Sequence, residues 1–183
     1  MPEKGQLVIT ISGPPGSGKS FCAEQLAKLY GLRLVSSGGL FRAIAKERGC
    51  TLAELSKIAE SDYSIDLEID KRTKEEASKG GVVIEGRLSA WFAGPHASFK
   101  IYLTAPLTVR VQRIAERDSI PFQRALKETL DRELSERKRY LAIYGIDVDD
   151  FSIYDLVLNT AHFGKEEVIK ILKSAIDSLL SSR

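Results

Sequence analysis

Gly13-Pro14-Pro15-Gly16-Ser17-Gly18-Lys19-Ser20 reads G-x-x-x-x-G-K-S, a loop that cradles the phosphates of a nucleoside triphosphate. Before it, Gln6-Leu7-Val8-Ile9-Thr10-Ile11-Ser12 is an apolar, β-branched run, expected to be a buried parallel strand. After it, Phe21 to Tyr30 carries apolar residues at helical spacing. Glycines let successive backbone N–H groups converge on one anion, and the helix adds its positive end. Gly13, Pro14, Pro15, Gly16, Ser17 and Gly18 are thus the candidate cradle for ATP, Lys19 the point charge on its outer phosphates, and Ser20 a hydroxyl ligand for Mg²⁺.

Working outward, strands and helices alternate, which predicts an α/β fold: a doubly wound, five-stranded parallel sheet in one domain over 1–183. Strands are expected at Leu32–Val35, Val82–Gly86, Phe99–Thr104 and Tyr154–Asn159. Helices are expected over 38–48, from Thr51, over 64–79, 106–118, 121–143 and 164–181. Thr51 with Glu54 forms a capping box, Gly80-Gly81 stops a helix, and Pro106 fits a first helical turn.

Composition fits one ordinary globular domain: 183 residues, 43% hydrophobic and 28% charged. A net charge of +2 is too small to argue for a nucleic-acid or membrane surface. Met1 to Gly5 has no apolar core of a signal peptide, and no run is long enough to span a bilayer. Cys22 and Cys50 lack metal-ligand spacing and are expected to be reduced thiols of a cytoplasmic protein. His96 and His162 are expected in turns rather than at a metal. One asparagine (Asn159), one methionine (Met1) and plentiful Glu, Lys and Arg match a thermophile pattern.

The loop alone does not separate a switch from a metabolite kinase. No N-K-x-D base-reading motif of small GTPases is present. Glu85, at the tip of a strand, is the candidate second oxygen ligand near Mg²⁺. Arginines from several segments supply the rest. Arg42 and Arg87 stand at strand-to-helix corners, where a binding role is expected. Arg113 and Arg117 share one helix face, and Arg132, Glu136 and Arg139 another. Both sets fit either a phosphate clamp or a solvated face. Arg110, Arg137 and Lys138 are expected to be solvated and laced by surface ion pairs. Transfer between two nucleotides needs such a convergence, because charge must be neutralised and water excluded.

Together, Gly13-to-Ser20, Ser37-Gly38-Gly39-Leu40-Phe41-Arg42, Glu85-Gly86-Arg87 and Arg132-to-Arg139 resemble the nucleoside monophosphate kinase family, within it the short archaeal-type cytidylate kinases. The resemblance covers essentially the whole chain. It implies a small monophosphate-binding insertion at about 36–80 and a short lid at about 117–125. It implies that Ser37, Arg42, Arg87 and Glu136 bind the acceptor, and that Arg113 stacks on the donor adenine. Lys19, Arg87, Arg117, Arg132 and Arg139 would enclose the transferring group, and Ser20 and Glu85 would hold Mg²⁺. The implied activity is transfer of the γ-phosphoryl of ATP to CMP and dCMP by a cytoplasmic monomer. Other acceptors (adenylate, uridylate or shikimate) or a non-kinase ATP switch are the alternatives.

The chain departs from bacterial cytidylate kinases twice. Leu88 stands where they use an aspartate to read cytosine, and Ser36 where they have an aspartate before the Ser-Gly pair. Asp66, Asp70 and Arg72, in the insertion, are candidate base-reading groups; a solvated helix face is the alternative for each.

Overall fold

The computed structural model describes residues 6–181, so the N-terminal residues read as free of a signal peptide lie outside it. In chain order the elements are β1 Val8–Ser12, α1 Lys19–Tyr30, β2 Arg33–Ser36, α2 Ser37–Glu47, α3 Leu52–Ala59, α4 Ser64–Ser78 and β3 Val82–Glu85. There follow α5 Ser89–Ala93, β4 Phe99–Thr104, α6 Leu107–Asp118, α7 Phe122–Tyr144, β5 Leu156–Asn159 and α8 Lys165–Ser181. The strands form one parallel sheet in the order β2-β3-β1-β4-β5, with Val8 opposite Val82 and Ile9 opposite Phe99. No helix of the described residues is long and apolar enough to cross a membrane.

Side-chain alternation along the buried strands builds two cores. Ile9, Ile11, Val83, Ile101 and Leu103 pack with Leu26 of α1 and with Val168, Leu172 and Ile176 of α8. Val8, Val82 and Ile84 pack on the other face, against Ala77 of α4 and Ala93 of α5. Helices thus cover both faces, and the phosphate loop leaves the carboxyl end of the central strand. That is the position where open parallel sheets bind ligands.

Two further clusters stand over that end. Phe41, Ala45, Leu55, Ala59, Ile65 and Ile69 give α2–α4 a core of their own. Val111, Ile114, Ala115 and Ala125 hold α6 to α7 across a tight turn in which Ser119 is left-handed, at φ 53°. The Thr51–Glu54 capping box forms, with Thr51 N donating to Glu54 at 2.7 Å and Glu54 N to Thr51 Oγ1 at 3.2 Å.

The boundaries differ from expectation in two physical respects. Pro106 is the N-cap of α6, with ψ at 145°, and its carbonyl accepts from Arg110 N at 3.0 Å. The last strand starts at Leu156, because the Tyr154 amide closes the preceding turn, donating to Phe151 O at 3.2 Å. Helix α5 is too short for a helical period to show in the sequence.

Leu55 is fully buried in the α2–α4 cluster. Leu55→Ala is expected to remove about 2–4 kcal/mol from that body. Hydrogen exchange should speed up over 37–78 while the β1 and β4 amides stay protected; equal acceleration everywhere would show that the cluster is not a separate cooperative unit.

Candidate active site

The loop between β1 and α1 turns through three glycines of positive φ: Gly13 at 145°, Gly16 at 77° and Gly18 at 94°. At Gly13 a Cβ would lie 2.1 Å from the Leu103 carbonyl oxygen, and at Gly16 one would lie 2.5 Å from that of Arg110. Neither position has room for a side chain. Gly18 caps α1 without a side-chain hydrogen bond, so the first-turn amides remain free for an anion. Lys19 folds back on the loop, its Nζ donating to Pro14 O at 2.8 Å. Burial pulls its pKa down to about 8; Arg87 and Arg132 act in the same direction, against Glu85 and Glu136.

The carbonyl side of the loop is held from behind. Arg110 Nε donates to Ala105 O and Nη1 to Pro15 O, both at 3.0 Å, while its guanidinium pairs with Glu133 of α7. Expected on a solvated face, Arg110 is instead 7% exposed, since α6 packs directly behind the loop. Arg137 with Asp149, and exposed Lys138, do behave as surface charges. Arg113 donates to Thr160 Oγ1 at 2.9 Å, to Thr160 O at 3.1 Å and to Gly16 O at 3.3 Å. Thr160 in turn donates to Ser17 O or Thr104 O at 3.2 Å. These arginines engage loop carbonyls, which leaves the amides to point outward. Thr160 lies in a short 3-10 turn after β5, and its place at the end of the last strand run does not by itself reveal this bracing role.

Glu85, 2% exposed at the tip of β3, sits beside the loop. Its Oε1 accepts from Ser20 at 3.2 Å and from Ser36, whose Oγ also accepts from Gly39 N at 2.8 Å. Ser36 therefore occupies a structural position, tying β2 and α2 to the acid. The oxygens of Ser20 and Glu85 are hard donors, too few to hold a cation alone. That fits Mg²⁺, which is held by one or two protein oxygens together with substrate phosphates and water. Among the described residues no cluster of three His, Cys, Asp or Glu competes for a metal.

The loop opens into a cavity of about 710 Å³ that also receives Ser37, Arg42, Arg87, Arg132 and Glu136. Arg42 is half-buried; burial lowers its pKa, against the field of Glu85. Ser37 Oγ lies 3.3 Å from Thr73 Oγ1. Arg132 Nε donates to Glu136 Oε1 at 2.8 Å, and Arg87 Nε stands 3.1 Å from Glu136 Oε2, an ion pair outside hydrogen-bond geometry. Burial works against the Glu136 charge, and the two guanidiniums outweigh it, holding its pKa below the ordinary range. Arg117 stands at the mouth, exposed and paired through two 2.7 Å bonds with Asp118. Arg139, read with Arg132 as one array, is drawn away to α4: Nε donates to Asp66 at 2.7 Å, and Nη1 to Ser135 Oγ at 2.7 Å and Ser56 O at 3.2 Å. Asp70 reaches the same cavity, whereas Arg72 lines a separate, smaller hollow with Ile69 and Thr73. Leu88 is buried against Tyr140 and Val148. Cys22 and Cys50 are free thiols, and His96 and His162 lie in 3-10 turns.

Comparison with known proteins places this geometry. Residues 8–162 match the model of the cytidylate kinase-like family. The chain is 51% identical over 174 residues to the cytidylate kinase of Staphylothermus marinus, covering 95% of this chain and 98% of that one. To the cytidylate kinase of Pyrococcus horikoshii it is 47% identical over 176 residues, covering 96% and 91%. Among solved structures, shikimate kinase from Acinetobacter baumannii superposes with a TM-score of 0.58 at 17% identity over 94% of this chain and 93% of that one. A gluconokinase from Sinorhizobium meliloti does so with a TM-score of 0.60 at 16% identity over 99% and 100%. Those two share the fold; the curated relatives are about half identical over nearly the whole chain, the family model runs from β1 past Thr160, and the chain belongs to the cytidylate kinase-like family.

Proposed function

We propose that this protein transfers the γ-phosphoryl group of ATP to CMP and dCMP, giving ADP and the pyrimidine diphosphate. The observation that carries the reading is the single cavity into which both the phosphate loop and the Arg42, Arg87, Arg132 and Glu136 group open. A triphosphate donor and a monophosphate acceptor bring several negative charges within a few ångströms of one another. Buried guanidiniums set beforehand offset that repulsion without reorganisation during the reaction.

In this reading the loop amides and Lys19 hold the donor phosphates, and the donor adenine stacks on Arg113. Ser37, Arg42 and Arg87 hold the acceptor. Glu136 keeps Arg87 and Arg132 apart and oriented while the site is empty. Ser20 and Glu85 are the residues that would hold Mg²⁺, which supplies charge neutralisation on the donor phosphates when bound. The attacking acceptor oxygen is already anionic, so no side chain has to remove a proton. The turn from Arg117 toward Phe122 serves as the lid and α2–α4 as the acceptor-binding segment; their closure excludes water, so ATP is not wasted by hydrolysis. The same reading makes the enzyme a cytoplasmic monomer independent of nucleic acid; a net charge of +2 is too small to argue for a nucleic-acid surface.

ADP release with MgATP and a panel of CMP, dCMP, UMP, AMP, GMP and shikimate tests the proposal. Turnover confined to CMP and dCMP is the expected result, and turnover only with another acceptor overturns it. Lys19→Ala and Arg87→Ala should each lower kcat by roughly three orders of magnitude with a cooperative melt retained, at a lower temperature in Arg87→Ala because buried Glu136 loses one of its two guanidiniums. Near-normal turnover in either variant refutes that residue's role. A protonation effect follows from the position of Lys19. Its pKa of about 8 in the free protein leaves it largely neutral at pH 8.5, and bound phosphate favours the charged form. MgATP binding should therefore take up a proton at pH 8.5 and none through Lys19 at pH 6. Calorimetry in buffers of different ionisation heat reads this directly, and Lys19→Met should abolish the uptake.

A further inference from the structure

Past Arg87 the cavity runs between α4 and α7, where its wall is formed by Asp66, Ile69, Asp70, Leu88, Arg139 and Tyr140. Three of these are apolar or aromatic, and the other three are charged. A lining that mixes apolar side chains with a few charged groups suits a flat polar ring. The charged groups are not equivalent. Asp66 is engaged by Arg139: Oδ2 accepts from Nε at 2.7 Å, and Oδ1 lies 3.5 Å from Nη2. Arg139, 2% exposed, has Nη1 committed to Ser135 Oγ and Ser56 O, so its fork is fixed in orientation. Its Nη2 has only the long contact with Asp66 and keeps donor capacity to spare.

Asp70, one turn along α4 from Asp66, is the complement. Its Oδ2 accepts from Tyr144 Oη, and Tyr144 is itself held edge-on by Phe92, with centroids 4.9 Å apart. Its Oδ1 accepts from no group among the described residues. Burial pushes the Asp70 pKa up to about 7; Asp66 acts with it, and the Tyr144 hydroxyl and Arg139 act against it. A carboxylate raised this far by desolvation gains from any donor brought to its free oxygen.

We infer that the acceptor's base is read between α4 and α7, with Asp70 Oδ1 accepting from an exocyclic amino group and Arg139 Nη2 donating to the ring acceptor beside it. Asp66 is the positioning residue that aims Arg139. The inference rests on the proposed kinase reading and gives it a specificity determinant. Along one edge cytosine offers an amino group, then N3 and O2 as acceptors. Uracil presents a carbonyl where the amino group was and an N–H in place of N3. Bound in the same way, uracil would set oxygen against carboxylate and N–H against guanidinium. The groups at this end of the cavity therefore select amino over keto.

The test is a cycle of one substitution and one missing substrate group. Wild-type protein and Asp70→Asn are compared on CMP, on UMP and on pyrimidin-2-one riboside 5′-monophosphate, which lacks only the 4-amino group. For the wild type, deleting the amino group should lower kcat/KM by about ten- to a hundredfold. In D70N that difference should shrink to within about threefold, and kcat/KM for UMP relative to CMP should rise. Asp70→Ala carries the same comparison if D70N shows no cooperative melt. The inference is overturned if the wild type ignores the amino group, if the variant keeps the wild-type ratio, or if all three acceptors fall by one common factor, the mark of a merely structural role. Wild-type turnover with CMP and an unmoved ratio defeats this inference alone, whereas turnover only with a non-cytidine acceptor defeats the kinase assignment with it.

Discussion

Glu85 carries a buried carboxylate that three elements must satisfy at once. It ends β3, and its Oε1 takes hydroxyls from Ser20 on α1 and Ser36 at the start of α2, while its charge acts on Lys19. An isolated charge this deep would cost several kcal/mol, so the surrounding segments are constrained to bring donors to it. Strand register supplies the means: Glu85 lies opposite Ser36 on one side and Ile11 on the other. The carboxyl end of the sheet is thereby drawn to a point beside the phosphate loop. The two serines give the acid its donors, and they keep it near where a phosphate-bound cation belongs.

From that point the charges alternate outward. Lys19 neighbours Glu85; Arg87 and Arg132 flank Glu136; Arg139 holds Asp66. Each of these three acids has a cation within reach, so this part of the site carries positive charge for phosphates; Asp70, further along the wall, has only the Tyr144 hydroxyl. The ion pairs follow helical spacing, as in Arg132 with Glu136, or join two helices, as in Arg139 of α7 with Asp66 of α4.

Much of this was legible in the sequence. A Gly-rich loop between a β-branched run and a helical period has one common three-dimensional solution, and the four later strand runs complete it. Glu85, Arg42 and Arg87 could be singled out because chain corners at strand ends face the ligand side of such sheets. Arg110 could not. Its helical spacing is that of a surface residue, and only the closeness of α6 to Pro15 makes it an internal brace. The role of Thr160 could not be read, since it lies in backbone oxygens from two distant segments. The parting of Arg139 from Arg132 was equally hidden. Spacing along α7 puts both on one face, but not which partner each will find.

Helix α7 holds the donor side through Glu133, whose pair with Arg110 reaches Pro15, and the other side through Ser135, Arg139 and Tyr144, which bind α3 and α4. A single rod fastened at both places cannot shift at one without moving residues at the other. Were a movement of α7 on binding one substrate to alter the affinity for the second, thermodynamic linkage would make the effect mutual and equal in size. The 23-residue helix is thus the element through which the two ends of the cavity are physically joined.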